Sequence, residues 1–381
     1  MYPKTNQSLY DPKHEHDACG VGFVANINGR REHRILAYAL QALGNLAHRG
    51  ALDADASTGD GSGVLTQLPH MLFRREVEKL GGKLRKDSDL AVGMVFMSQG
   101  KRYQIRSRRI VETAAIKFDL HVFGLRTVPI NLGALVEKAG NTLPKIQQIL
   151  IGRPDGCDDM EFERRLFLTR KTAERRVCDE KIPGFYIPSF SSRTIVYKGL
   201  FNAPQLAKFY PDLEDPLYVT ALAVFHQRYS TNTFPNWQLA HPFRMLAHNG
   251  EINTLSGNKI WTRAREQELA SPVWGERIEL LKPILQPGGS DSACLDNVLE
   301  VLQLSGRDIL HSVMMLAPEA WENQDDLLAS LQGFYRFHAG LNEPWDGPAA
   351  LIFSDGHYVG AALDRNGLRP ARYKIYDDGL M

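Results

Sequence analysis

DACGVGFVANI, Asp17 to Ile27, is the stretch on which the fold turns. The residues before it are mostly polar and carry no apolar period. Val21 and Phe23 then alternate with the small Gly20 and Gly22, as in a buried strand. The packed chain is therefore expected to begin at Cys19. A thiol at the head of the first core strand, behind a short leader, is placed as a nucleophile that becomes the N-terminus once the leader is cut away. Its base is then its own α-amine. That amine titrates near ~8 and a free thiol near ~8.5, so one can take the other's proton at neutral pH, which the amide nitrogen of an uncut chain cannot do. Taken alone, the stretch favours the plainer role of a small buried hydrophobe. Gly20, Gly22 and Ala25 also satisfy G-x-G-x-x-A. A dinucleotide fingerprint needs a strand before it and a helix after it, and here a polar leader precedes and strand continues.

With 381 residues, 43% of them hydrophobic and 23% charged, the chain can bury one large core or two modest ones. Its longest near-continuous apolar run, Leu217 to Phe225, is far short of a membrane span, and the leader has no apolar signal-peptide centre. No membrane association is expected, and the cytoplasm is the expected compartment. A net charge of +1, with Lys and Arg spread along the chain, gives no electrostatic case for nucleic acid. The four cysteines, Cys19, Cys157, Cys178 and Cys294, lack C-x-x-C spacing. That argues against a metal site, an iron–sulfur ligand set or a disulfide framework, so no metal and no cofactor are expected in this chain.

Beyond the first strand, His33 to Ala47 has the spacing of an amphipathic helix, and a loop rich in Gly and Asp follows, from Arg49 to a strand near Val64. From about residue 90 to 213 the texture becomes that of an inserted α/β region. Strands are expected at Ala91 to Met97 and His121 to Val128, and helices through Leu135 to Leu150 and Glu161 to Arg176. Leu217 to Phe225 and Phe243 to Ala247 read as strands, and Ser290 or Asp291 as the cap of a helix. A meander follows, with strands at Ala349 to Phe353, His357 to Leu363 and Arg369 to Tyr376. The turn signal at Asp377-Asp378-Gly379, with no return strand after it, reads as part of a longer chain.

Four positions have chemistry that combines. Asn249-Gly250 is by default a hairpin turn, but an Asn amide beside a Gly N–H also gives two donors that can converge on one oxygen. Arg228, at the end of a strand, is either a rim residue or a bidentate partner for a carboxylate. Asp291 is either a helix cap or a partner for an ammonium group. PGGSDS, Pro287 to Ser292, also approaches a pyrophosphate loop, with Pro287 where a Ser belongs. A thiol, an oxyanion pair, an arginine and an aspartate together suit an α-amino acid with a cleavable amide, although spacing alone does not establish the grouping.

CGVGF at Cys19, HRGA at His48, TGDGSG at Thr58, HQRYSTNTFPNW at His226, AHNGEINT at Ala247, GGSDSA at Gly288 and DRNGLRPAR at Asp364 resemble, in order, the class II glutamine amidotransferase domain of glutamate synthases. The resemblance implies an α+β, N-terminal-nucleophile hydrolase fold: a four-layer αββα sandwich over residues 19–381, behind a leader at residues 1–18. It implies Cys19 as nucleophile, Asn249 with the Gly250 N–H as oxyanion hole, and Arg228 and Asp291 on the α-carboxylate and α-amine of L-glutamine. Arg49 lies, by similarity, on the loop that closes over the substrate. The expected reaction is hydrolysis of glutamine to glutamate and ammonia through a thioester. The ammonia is destined for 2-oxoglutarate in the rest of a large subunit that carries FMN and iron–sulfur clusters and meets an electron-donor subunit or ferredoxin. An unprocessed, non-catalytic glutamine-binding module and a free-standing amidotransferase subunit for another acceptor are the other readings.

Overall fold

The computed structural model describes residues 20–47, 61–135, 137–227 and 236–381. In chain order the elements are β1 (Val21–Ala25), α1 (His33–Asn45), β2 (Ser62–Gln67), α2 (His70–Lys79), β3 (Leu90–Met97), α3 (Lys101–Lys117), β4 (His121–Thr127), α4 (Glu137–Asn141) and β5 (Lys145–Gly152). Then come α5 (Asp159–Asp179), β6 (Tyr186–Ser191), β7 (Thr194–Gly199), α6 (Ala203–Phe209), β8 (Leu222–Gln227) and β9 (Leu246–Gly250). Helices α7 (Leu255–Glu266), α8 (Asp291–Leu304), α9 (Ile309–Leu316) and α10 (Ala329–Ala339) precede β10 (Ala349–Ser354) and β11 (Val359–Leu363). This is a mixed α+β chain.

Its first sheet has the order β1-β8-β2-β7, antiparallel throughout. Period-two alternation divides the side chains between two cores. Val64, Tyr197, Ala223 and Phe225 pack with Leu36, Ala39 and Leu43, the apolar stripe of α1. Leu65, Val196, Leu222 and Val224 pack with Ala247 of β9 and Ile352 of β10. Both faces are thus covered, which is why these strands read as apolar runs rather than a strict alternation. Gly22 has a packing reason: a Cβ there would meet the Phe225 ring at 2.5 Å. The second sheet, β11-β10-β9, places Leu246, Leu351 and Phe353 against Leu295 and Leu299 of α8.

The third sheet, β4-β5-β3-β6, is also antiparallel. The stretch 90–213 therefore supplies all of this sheet and also β7 of the first. The helix expected through Leu150 is instead the short α4 followed by β5. Gln147 and Gln148 of β5 are both buried and bonded. Gln147 accepts from Arg108 at 2.6 Å and donates to Thr127 at 3.1 Å, and Gln148 accepts from Arg126 at 2.7 Å and donates to the Tyr197 hydroxyl at 3.0 Å. Arg126 also donates to both oxygens of Asp212 at 2.7 Å, and Tyr197 donates to the same carboxylate at 2.8 Å, joining the third sheet to the first. Removing one partner of such a buried pair costs about 3–5 kcal/mol.

Two other expectations are corrected. The strand that begins near Leu217 starts only at Leu222, and no strand forms at Arg369 to Tyr376. The Asp364 carboxylate accepts from the N–H groups of Asn366, Leu368, Arg369 and Ala349, fixing the chain after β11 as a loop. The turn signal at Asp377 to Gly379 is used, and it brings Met381 against β1, where Ala25 and Met381 exchange N–H···O bonds of 2.8 Å.

Candidate active site

One end of the first sheet gathers the segments to which the sequence assigns chemistry. The Gln227 N–H donates to Gly20 O at 2.7 Å, and Ser62 lies directly opposite Gln227. The chain enters β1 from Cys19, leaves β8 into Arg228, and enters β2 from the stretch that carries Arg49. Those three residues, and the leader, lie outside the described residues. The Gln227 amide and the Ser62 hydroxyl at this end are fully buried and have no hydrogen-bond partner among the described residues.

Asn249 and Gly250 are the last two residues of β9, not a hairpin turn. They pair with Ala350 and Ala349, about a hundred residues away in the chain. Gly250 has φ +136°, and a Cβ on it would lie 1.8 Å from Pro348 O, so only glycine fits. The ladder sets the direction of its N–H. Glu251 N–H donates to Pro348 O at 3.2 Å and Ser354 N–H to Met245 O at 2.8 Å, so the odd-numbered residues of β9 bond to β10. In an antiparallel pair the intervening residues point the other way. The His248 carbonyl and the Gly250 N–H therefore face the open edge of β9. There His226 Nε2, on β8, donates to His248 O at 2.9 Å. The Asn249 side chain shares a face with Ala247, on the side of the first sheet. It is 9% exposed, and its Nδ2 is buried without a partner among the described residues.

Asp291 reaches this place from α8. The sequence left the cap open between Ser290 and Asp291. The structure gives it to Ser290, whose Oγ accepts from Ala293 N–H at 3.2 Å. The Asp291 carboxylate is thereby available to the segment after β9. Its Oδ2 accepts from Ile252 N–H at 3.1 Å, and its Oδ1 from Ser292 N–H at 2.7 Å and Ser292 Oγ at 3.1 Å. Asn249, Gly250 and Asp291 are thus brought together by the packing of α8 on β9.

The sequence reading gave no role to the histidines around them. The His241 ring stacks on His226 with centroids 4.3 Å apart, and His248 Nδ1 is 2.7 Å from Ser292 Oγ. Burial pushes the His248 imidazole down, and burial with the neighbouring His226, His248 and Lys198 pushes His241 well down. Lys198, held by Gln238 O at 2.8 Å and flanked by the Tyr186 and Phe243 rings, is also driven well below its ordinary range by burial. A signal was available in the strand HN of AHNG: polar residues on both faces of a buried strand need partners.

Among the described residues no three His, Cys, Asp or Glu side chains form a group able to hold a metal ion, and Cys157, Cys178 and Cys294 are unpaired. These residues do not fit an iron–sulfur cluster. No helix among them is long and apolar enough to cross a membrane.

The family model described as "Glutamine amidotransferases class-II" matches residues 19–381. The chain is 45% identical over 378 residues to the glutamate synthase [NADPH] large chain of Azospirillum brasilense, covering 99% of this chain and 25% of that protein. It is 45% identical over 373 residues to the corresponding chain of Bacillus subtilis (strain 168), covering 98% and 24%. It is 46% identical over 367 residues to the ferredoxin-dependent glutamate synthase 2 of Synechocystis, covering 96% and 23%. The chain thus spans about a quarter of the length of these relatives. It belongs to the class II glutamine amidotransferases, as the amidotransferase domain of the glutamate synthase kind.

Proposed function

We propose that this domain hydrolyses L-glutamine to L-glutamate and ammonia, with Cys19 as an N-terminal nucleophile exposed by removal of residues 1–18. The thiolate adds to the glutamine carboxamide, and the Asn249 amide and Gly250 N–H take the charge that develops on its oxygen. The α-amine of Cys19 carries the thiol proton to the departing ammonia. Water then cleaves the γ-glutamyl thioester, returning the thiol and releasing glutamate. Arg228 holds the α-carboxylate, Asp291 the α-ammonium, and the loop bearing Arg49 closes over the substrate.

The observation that carries this reading is the Asn249 amide: a buried donor without a partner among the described residues, adjacent in the strand to a Gly N–H turned to the open edge of β9. Such a group is costly unless something binds it, and an oxyanion does. The shared core of β1, β2, β7 and β8 with β9 and β10, with α1 and α8 packed beyond, supports a four-layer αββα sandwich over residues 19–381. Within it we propose the third sheet as an inserted region, lying inside residues 90–213.

The ammonia is proposed to serve 2-oxoglutarate in the part of the longer relatives that this chain does not span. FMN, iron–sulfur clusters and the electron-donor subunit or ferredoxin belong to that part, and the cytoplasm is the proposed compartment. Ammonia release from L-glutamine by the parent chain and by Cys19→Ala tests the proposal. The parent is expected to release ammonia and the variant none above background. Equal release by both would overturn the assignment.

A further inference from the structure

A buried hydrogen-bonded chain runs from the strand that bears Asn249 to the carboxylate of Asp291. The His248 side chain lies on the face of β9 opposite to Asn249 and meets α8, with Nδ1 2.7 Å from Ser292 Oγ. Ser292 Oγ in turn lies 3.1 Å from Asp291 Oδ1. Proton inventory fixes the direction. A serine hydroxyl has one hydrogen and a carboxylate oxygen accepts, so Ser292 O–H donates to Asp291 and its lone pair accepts from His248 Nδ1–H. His248 Nε2 is then the bare lone pair, and it is a buried atom with no partner among the described residues. The reverse direction would strand a buried N–H donor, the rarer defect. Ser292 is fully buried and His248 is 4% exposed, so water does not compete.

The chain matters because Asp291 is the first residue of α8, where a carboxylate is drawn to the unbonded N–H groups of its own helix. We propose that His248 and Ser292 are positioning residues that keep the Asp291 carboxylate, whose Oδ1 also accepts from the Ser292 N–H of its own helix, in the rotamer that receives the substrate α-ammonium. Because His226 also clamps the His248 carbonyl, the strand that presents Asn249 and Gly250 and the carboxylate that selects the substrate move as one unit. This inference rests on the glutamine reading above.

Ser292→Ala removes the hydroxyl without adding volume. The KM for L-glutamine is expected to rise about tenfold with kcat within about twofold, as for loss of ground-state binding. Glutaramate, the same amide without the α-amine, should keep its kcat/KM. Calorimetric titration of L-glutamine into Cys19→Ala, with and without Ser292→Ala, should show the same tenfold weakening independently of turnover. His248→Asn keeps an N–H donor near the Nδ1 position and should bind within about threefold of the parent, whereas His248→Phe should match Ser292→Ala. Unchanged glutamine affinity in Ser292→Ala, or an equal loss for glutamine and glutaramate, overturns the proposal. Absence of turnover in the parent chain overturns the functional reading instead, and the binding comparison still decides this one.

Discussion

Replacing Gly250 with alanine is expected to disable the site through the backbone. The new Cβ would stand 1.8 Å from Pro348 O, 2.9 Å from Pro348 C and 3.0 Å from Ala349 Cα. Real Cβ contacts stay at or beyond 3.0 Å, so β9 and β10 must part by about 1.2 Å at this pair. Holding an L-residue at φ +136° adds strain of about 1–3 kcal/mol, and loss of the Glu251 N–H bond to Pro348 O adds about 0.5–1.5 kcal/mol. The variant should therefore be destabilised by about 2–4 kcal/mol. The catalytic effect is larger, because a group misplaced by about 1 Å can cost 10²-fold and a lost oxyanion donor about 10²–10³-fold in kcat. Ammonia release at saturating L-glutamine, on material whose folded fraction is set by denaturant titration, measures both. A fall in kcat of about 100-fold or more per folded molecule is predicted. A folded alanine variant with kcat within threefold of the parent would show that the Gly250 N–H does not hold the oxyanion.

The side chain next to it gives a complementary result. Asn249→Ala leaves the backbone donor in place and should lower kcat by about 10²–10³-fold with little change in KM, by steady-state assay of L-glutamine hydrolysis. Stability should depend on pH through Asp296, whose Oδ1 accepts from Met245 and Leu246 N–H at 2.8 and 3.1 Å at the start of β9. Burial pushes its carboxyl up to about 6 from 3.8. The folded state then binds more protons than the unfolded chain between these values. The contribution is full below about pH 4 and is lost as pH rises through 6, a change of about 3 kcal/mol. Urea titrations at pH 4 and pH 7 should show that decline in the parent relative to Asp296→Asn.

The fold was legible where one element's own pattern decides it. Val21 and Phe23 announce β1, and Leu36, Ala39 and Leu43 announce α1, because each signal lies within a few residues of the element it describes. β5 was hidden because Gln147 and Gln148 are satisfied by Arg108, Thr127, Arg126 and Tyr197, partners remote in sequence. Asn249-Gly250 carries a turn signal, yet its conformation is dictated by Pro348 and by pairing with Ala349 and Ala350. The residue types of the site were legible: an amide beside a glycine and a carboxylate at a helix start. Their meeting depended on α8 packing against β9, and the link through His248 and Ser292 depended on which face of β9 each residue takes. Neither is local in sequence.

Whether Cys19 acts as a free N-terminal nucleophile is decided by the intact mass of the purified chain, read with ammonia release from L-glutamine on the same sample. Loss of residues 1–18 together with ammonia release is predicted, each rising in proportion to the processed fraction. Ammonia release at full rate by a chain that retains its leader would rule out that role for Cys19, because its nitrogen is then an amide and cannot carry the proton.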